Sequence, residues 1–156
     1  MIISKAENKD IPAVLGLLSQ VLEIHAAIRP DLFVPGTTKY SSAELEKIFA
    51  DENTPVWIAR TEEGVAGYVF CIIKETAGQA TLIPHKTLYI DDLCVNGSQR
   101  GKHIGKALFE YACAEAKKLG CFDVTLNVWT GNDSAERFYE SLGMKPRSKN
   151  MELILI

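Results

Sequence analysis

Residues 93–108 read LCVNGSQRGKHIGKAL, an apolar strand that runs into a loop rich in glycine and cations and then into a helix. A helix start offers backbone N–H groups with no intrahelical acceptor and the positive end of the helix dipole. Gly101 and Gly105 let main chain approach an anion closely. Arg100, Lys102 and Lys106 add mobile positive charge nearby. Alone, the stretch describes an anion cradle at a strand-to-helix junction; its neighbours must say which anion, and which fold carries it.

Working outward, residues 87–95 supply the strand before the cradle. Residues 104–119 set Ile104, Leu108, Tyr111, Ala112 and Leu119 at helical spacing, with Gly120 placed to end the helix. Residues 122–129 read as the next strand, 134–142 as a short helix and 151–156 as a last strand. Upstream, 56–60 and 65–74 are rich in Val, Ile and Tyr and are separated by Glu62-Glu63-Gly64, the signature of antiparallel neighbours joined by a tight turn. Residues 1–6 read as a strand. Asp10 is placed to cap a helix from Ile11, with Pro12 in its first turn, and Ser41 with Glu44 forms a capping box for a helix through Phe49. The order is β α α β β β α β α β, with no repeat, low-complexity segment or linker, which predicts a single α+β domain over residues 1–156.

Bulk properties narrow the function classes. A chain of 156 residues with 47% hydrophobic and 24% charged residues can bury a full core without disulfides or metal. The formal net charge of −3 gives no support to nucleic-acid binding. Cys71, Cys94, Cys113 and Cys121 lie in apolar segments with no C-x-x-C pair and no histidine at ligand spacing, so we expect core thiols and no metal site. No basic start precedes an apolar run and no uninterrupted apolar stretch is long enough for a bilayer, so the expected compartment is the cytoplasm, without membrane contact.

Two features flank the cradle. Upstream, Tyr89-Ile90-Asp91-Asp92-Leu93-Cys94-Val95 sets two carboxylates in an otherwise apolar strand, a costly location unless something pairs with them. Downstream, Asn132, Ala135, Phe138 and Tyr139 stand in the spacing N-x-x-A-x-x-F-Y ahead of Leu142-Gly143-Met144. With these residues in view, the chain resembles the GNAT superfamily of acetyl-coenzyme A dependent N-acetyltransferases. The family's cradle motif, Q/R-x-x-G-x-G/A, is similar to Arg100-Gly101-Lys102-His103-Ile104-Gly105, with His103 in place of the middle glycine. A side chain there narrows the backbone angles open to the loop, although imidazole can also donate to a phosphate. A P-loop is unsupported by the letters, and so is a dinucleotide-binding G-x-G-x-x-G.

The resemblance implies a fold and a set of roles. The fold is a central twisted, mostly antiparallel mixed sheet, flanked by about four helices and splayed between strands 4 and 5. Acetyl-coenzyme A is the implied cofactor. Backbone from Arg100 through Gly101, Lys102, His103, Ile104 and Gly105 to Lys106 would hold its pyrophosphate. Leu93, Cys94 and Val95 would pair with its pantetheine arm, and Asn132 and Ala135 would face that arm. Tyr139 matches the family's general acid, which returns a proton to the departing thiolate. A backbone N–H of Cys94 or Val95 would stabilise the oxyanion.

An amine must lose its proton before it attacks, so a base is needed. Asp91 and Asp92 compete for that role or for binding the acceptor. Alternation sends only one of them into the cleft unless a bulge re-aims the strand, and the resemblance favours Asp91. His25, Arg29 and Asp31, set among apolar anchors after the first helix, are candidates for the acceptor site: Arg29 for a carboxylate, Asp31 for an ammonium. The expected activity is acetyl transfer to a primary amine, with a small or polyamine-like molecule favoured over protein N-termini or lysines. A non-catalytic acyl-coenzyme A binding module is the alternative. Homodimers are frequent in the family, and residues 151–156 can complete the chain's own sheet or pair with another copy.

Overall fold

A computed structural model describes residues 1–156. In chain order its elements are β1 (Ile2–Lys5), α1 (Ile11–Ile28), α2 (Ser42–Ala50), β2 (Val56–Thr61), β3 (Gly64–Thr76), β4 (His85–Val95), α3 (Ile104–Lys118), β5 (Asp123–Leu126) and α4 (Asp133–Ser141). The five strands form one sheet in the order β1-β2-β3-β4-β5, antiparallel except for the parallel pair β4–β5. The expected mixed, mostly antiparallel sheet flanked by four helices is thus present.

Both faces of the sheet are covered, which is why β2 and β3 read as nearly continuous apolar runs. On one face Val14, Leu17 and Leu18 of α1 and Leu45 and Phe49 of α2 meet Ile58, Tyr68 and Cys94. On the other, Leu108, Phe109 and Ala112 of α3 meet Ala59, Val69, Leu88 and Ile90. The stretch Asn8–Ile28 is long and apolar enough to cross a bilayer on composition alone. Val14, Leu17, Leu18 and Leu22 nevertheless lie buried against the sheet, as in a core helix. Gly67 allows β3 and β4 to close: a Cβ there would lie 2.6 Å from the Cys94 carbonyl oxygen.

Local chemistry explains most boundaries. The Ser41 hydroxyl accepts from the Glu44 N–H at 3.2 Å, and the Glu44 carboxylate accepts from the Ser41 N–H at 2.7 Å, the predicted reciprocal box. Gly120, at φ +72°, ends α3, and the Cys121 N–H returns to the Ala116 carbonyl.

Three expectations need correction. Asp10 precedes α1 but does not cap it: its carboxylate accepts from the Glu7 N–H at 2.8 Å and from Arg60 Nη2 at 2.8 Å. An aspartate that finds a guanidinium across the core gains a charge-assisted pair, which outweighs a cap. The predicted strand 122–129 shrinks to Asp123–Leu126, because the residues after Leu126 have no β4 partner. Residues 151–156 form no strand, and Met151, Leu153, Leu155 and Ile156 are more than four-fifths exposed. Alternating or apolar character describes a surface suited to a sheet; a strand also needs an edge to pair with, which the letters cannot supply.

Candidate active site

The β4–β5 ladder runs from Thr87↔Asp123 to Ile90↔Leu126 and stops. Beyond it, Asp92 to Val95 pair only with β3, and the sheet opens on the β5 side. Ladder geometry shows which backbone groups face that opening. The Asn96 N–H donates to the Ala66 carbonyl at 2.7 Å, making Asn96 and Ala66 a hydrogen-bonded pair. In an antiparallel ladder such pairs alternate, so Cys94 and Asp92 bond to β3 while Leu93 and Val95 direct their N–H and C=O groups into the splay. Of the two candidate oxyanion donors, Cys94 is therefore turned towards β3 and Val95 is free.

The register of β4 slips between Phe70 and Cys71: Phe70 opposes Asp92, Cys71 opposes Ile90, and Asp91 is the extra residue of a β-bulge. The bulge breaks the alternation that would have separated the two carboxylates. Both now lie on the α1–α2 face. Asp91 accepts from Lys39 Nζ at 2.8 Å and from the Tyr40 hydroxyl at 2.7 Å, and Asp92 accepts from the Tyr68 hydroxyl at 2.6 Å. Tyr40 stacks on Phe70 at 5.7 Å, and Tyr68 meets the same ring edge-on at 4.8 Å, so one aromatic cluster holds both acceptors in place.

Electrostatics then separates the pair. Burial dominates at Asp92 and, with Asp91 adding repulsion, pushes its carboxyl up to about 6 despite the opposing Tyr68 hydrogen bond and Lys39 charge. Tyr139, on α4, is raised above the ordinary phenol value by burial and then by the negative charge of Asp92, so it carries its proton at neutral pH. Cys94 is pushed up to about 12, chiefly by burial, and is no nucleophile.

The cradle closes the other side of the splay. α3 begins at Ile104, and the backbone N–H groups of residues 101–106 find no acceptor within the protein. His103, where the resembled motif has glycine, adopts φ +60°, the left-handed conformation that glycine takes freely, and the loop keeps its shape with imidazole in that place. Gly105 lets α4 close on α3: a Cβ there would meet the Phe138 ring at 3.2 Å. The Asn132 side chain caps α4, accepting from the Ala135 N–H at 3.3 Å, so the motif's Asn and Ala also serve as a helix start.

These parts line one cleft of about 960 Å³ that runs from α1 and the segment after it, through the splay, to the cradle. It brings together His25, Asp91, Asp92, Leu93, Cys94, Val95, Arg100, Gly101, His103, Ile104, Gly105, Lys106, Asn132, Ala135 and Tyr139. Lys102 stands apart, 3.4 Å from Glu63. Arg29 and Asp31 do not line the cleft. They bind each other at 2.8 and 2.6 Å, and Arg29 also meets Glu152 at 3.0 Å and lies over Trp129. Two opposite charges two residues apart satisfy each other before any ligand arrives, so neither is free for the acceptor role expected of it.

Sequence reasoning missed Lys39, Tyr40, Tyr68 and Trp129, while Phe33 belongs to the stretch 25–33 expected to carry the acceptor site. Tyr68 was findable, since it stands among apolar neighbours in the strand next to Asp92. Lys39 and Tyr40 reach Asp91 across 52 and 51 residues of chain, a contact with no local signature.

Comparison with known proteins agrees with this geometry. The model of the acetyltransferase (GNAT) family matches residues 20–144. A glucosamine 6-phosphate N-acetyltransferase of Arabidopsis thaliana is 32% identical over 97 residues, covering 54% of this chain and 63% of the relative. Its counterpart in Trypanosoma brucei brucei is 37% identical over 70 residues, covering 43% of this chain and 44% of the relative. The chain thus spans less than two thirds of either curated relative. The crystal structure of a mutant of the BH1408 protein from Bacillus halodurans superposes with a TM-score of 0.96 at 32% identity, over the whole of both chains. With the family model covering most of the sequence, the splayed sheet and its cradle have a name: the chain belongs to the GNAT family of acetyltransferases.

Proposed function

We propose that this protein transfers the acetyl group of acetyl-coenzyme A to the primary amine of a small molecule, by direct attack on the thioester. The observation that carries the reading is the placement of Asp92 and Tyr139 on one cleft, between an unpaired strand edge and a cradle of unpaired N–H groups.

The residues fit the cofactor. Leu93 and Val95 offer the alternating donors and acceptors that an amide-bearing arm needs, and residues 101–106 offer consecutive N–H donors for a pyrophosphate, with Arg100 and Lys106 beside them. When bound, acetyl-coenzyme A supplies an acyl carbon activated by a thiol leaving group.

The protein's own groups handle the charge and the protons. Asp91, the stronger candidate for the base on sequence, gives its Oδ2 to Lys39 and Tyr40 and keeps Oδ1 open for an ammonium, whereas Arg29 takes both oxygens of Asp31. Asp92, near 6, is largely ionised at neutral pH yet basic enough to take the proton that the ammonium must lose. The Val95 N–H, which faces the splay, would donate to the thioester oxygen and stabilise negative charge there. As nitrogen bonded to the acyl carbon and the carbon–sulfur bond broke, Tyr139 would give its proton to sulfur, the second proton that nitrogen loses in becoming an amide would pass to solvent and so replace the one Tyr139 gave, and Asp92 would return the first to water.

Mixing the protein with acetyl-coenzyme A and a panel of primary amines should release free thiol in step with acetylated amine. Cofactor binding with no amine-dependent thiol release would contradict the reading and leave a binding module.

A further inference from the structure

The acceptor end of the cleft is apolar and aromatic. Ile24, Leu32, Val34 and Trp129 line it and are 37%, 51%, 66% and 40% exposed, an unusual convergence of large apolar side chains left open to water. Phe33 stands between His25, at 5.3 Å, and Trp129, which it meets edge-on at 5.6 Å. These rings form a wall to the same cleft that holds the two carboxylates.

The charges at this end suit one ammonium and nothing more. Asp91 already binds a primary ammonium, that of Lys39, at 2.8 Å, so the geometry for an alkylammonium is built in. Lys39 is the one lysine or arginine lining this end, and it is bound to Asp91; Arg29, over the Trp129 ring, is committed to Asp31 and Glu152. Burial and the Lys39 charge lower the His25 pKa, so His25 adds no positive charge at neutral pH. Asp91 and Asp92 are the only carboxylates lining the cleft, and Glu23 is occupied by the Gly36 N–H at 2.7 Å. A phosphate placed here would meet carboxylates and no free cation. Beyond the neutral hydroxyls of Thr37 and Thr38, the second ammonium of a polyamine would find no further carboxylate, only rings and aliphatic groups.

We infer that the acceptor is a monoamine carried on an apolar or aromatic body, in contrast to the sugar phosphate named for the curated relatives. The inference rests on the acetyl-transfer reading above, and the bonds made and broken are those described there. The ammonium would bind Asp91 at Oδ1, which Lys39 and Tyr40, both on Oδ2, leave open, while the body lies against Phe33 and Trp129.

The test uses turnover and binding on the same protein. In turnover, 2-phenylethylamine should exceed glucosamine 6-phosphate and spermidine in kcat/KM by at least about tenfold. Trp129→Ala should raise the KM for 2-phenylethylamine about tenfold and leave the KM for acetyl-coenzyme A unchanged. In calorimetry on the protein with coenzyme A present, N,N-dimethyl-2-phenylethylamine, which cannot form a stable amide, should bind where glucose 6-phosphate does not. A higher kcat/KM for glucosamine 6-phosphate or spermidine overturns the inference, and so does calorimetry in which the tertiary amine fails to bind. Binding of the tertiary amine without thiol release from any primary amine would uphold this specificity and refute acetyl transfer, so the two failures are distinct.

Discussion

Replacing Asp92 with asparagine should make the protein more stable and nearly inactive. The folded carboxyl is raised from 3.8 to about 6, so the folded state binds that proton more tightly than the unfolded chain does. The stabilisation this gives is complete below about 3.8 and is lost as pH rises through 6. Above that window the protein carries a buried negative charge. A shift of about 2 units at 1.36 kcal/mol each sets a ceiling of about 3 kcal/mol. The carboxylate lines a cleft that water can enter, so about half of this, roughly 1.5 kcal/mol, is the expected gain for Asp92→Asn at pH 8. In a domain of this size that is a rise in Tm of about 3–6 °C. The asparagine oxygen still accepts from the Tyr68 hydroxyl, so that donor keeps its partner. Thermal melts of both proteins from pH 3.5 to 8 should coincide at the acid end and diverge between pH 4 and 6.5, while kcat falls about a hundredfold. A variant less stable than the parent at pH 8, or a difference independent of pH, would refute the argument that Asp92 is held charged at the expense of stability.

Other perturbations probe the cleft and its frame. Tyr139→Phe should lower kcat about ten- to a hundredfold with the Kd for acetyl-coenzyme A within about twofold, read by rapid mixing and calorimetry; a large loss of affinity would make Tyr139 a binding residue. His103→Gly removes a left-handed conformation that costs a side chain about 1–2 kcal/mol, against about 0.5–1 kcal/mol of extra chain entropy. Denaturant titration should therefore find the variant about 0.5–1 kcal/mol more stable, and a loss of stability would mean that the imidazole makes a compensating contact. Gly67→Ala sets a Cβ 2.6 Å from the Cys94 carbonyl oxygen, and should cost about 2–3 kcal/mol by the same titration and weaken acetyl-coenzyme A binding by shifting the edge at Val95.

Much of the fold was legible because its determinants are local. The Ser41–Glu44 box, the Gly120 helix end and the Glu62-Glu63-Gly64 turn are decided within a few residues, and each appears where the letters put it. The cradle was legible for the same reason: a strand, glycines and a helix start in sequence create unpaired N–H groups whatever surrounds them. What escaped was pairing at a distance. Asp10 went to Arg60, Asp91 to Lys39 and Tyr40, and Arg29 to Asp31 and Glu152, and only the folded chain shows which partner reaches a charge first. The bulge at Asp91 is a further case, since a single extra residue in β4 moved both carboxylates to one face and no residue type announces it. The apolar run at 151–156 shows the opposite limit, a strand-like composition that pairs with neither edge of its own sheet.

The central claim is that acyl chemistry takes place at the splay, with Asp92 as the base. The most direct measurement is the pH dependence of acetyl transfer from isotopically labelled acetyl-coenzyme A to a primary amine, with labelled amide and free thiol counted in the same samples. Expected are one amide per thiol and a kcat/KM that rises with pH through an apparent pKa near 6, a limb that Asp92→Asn abolishes. Thiol without amide, or the same limb surviving in Asp92→Asn, would contradict it.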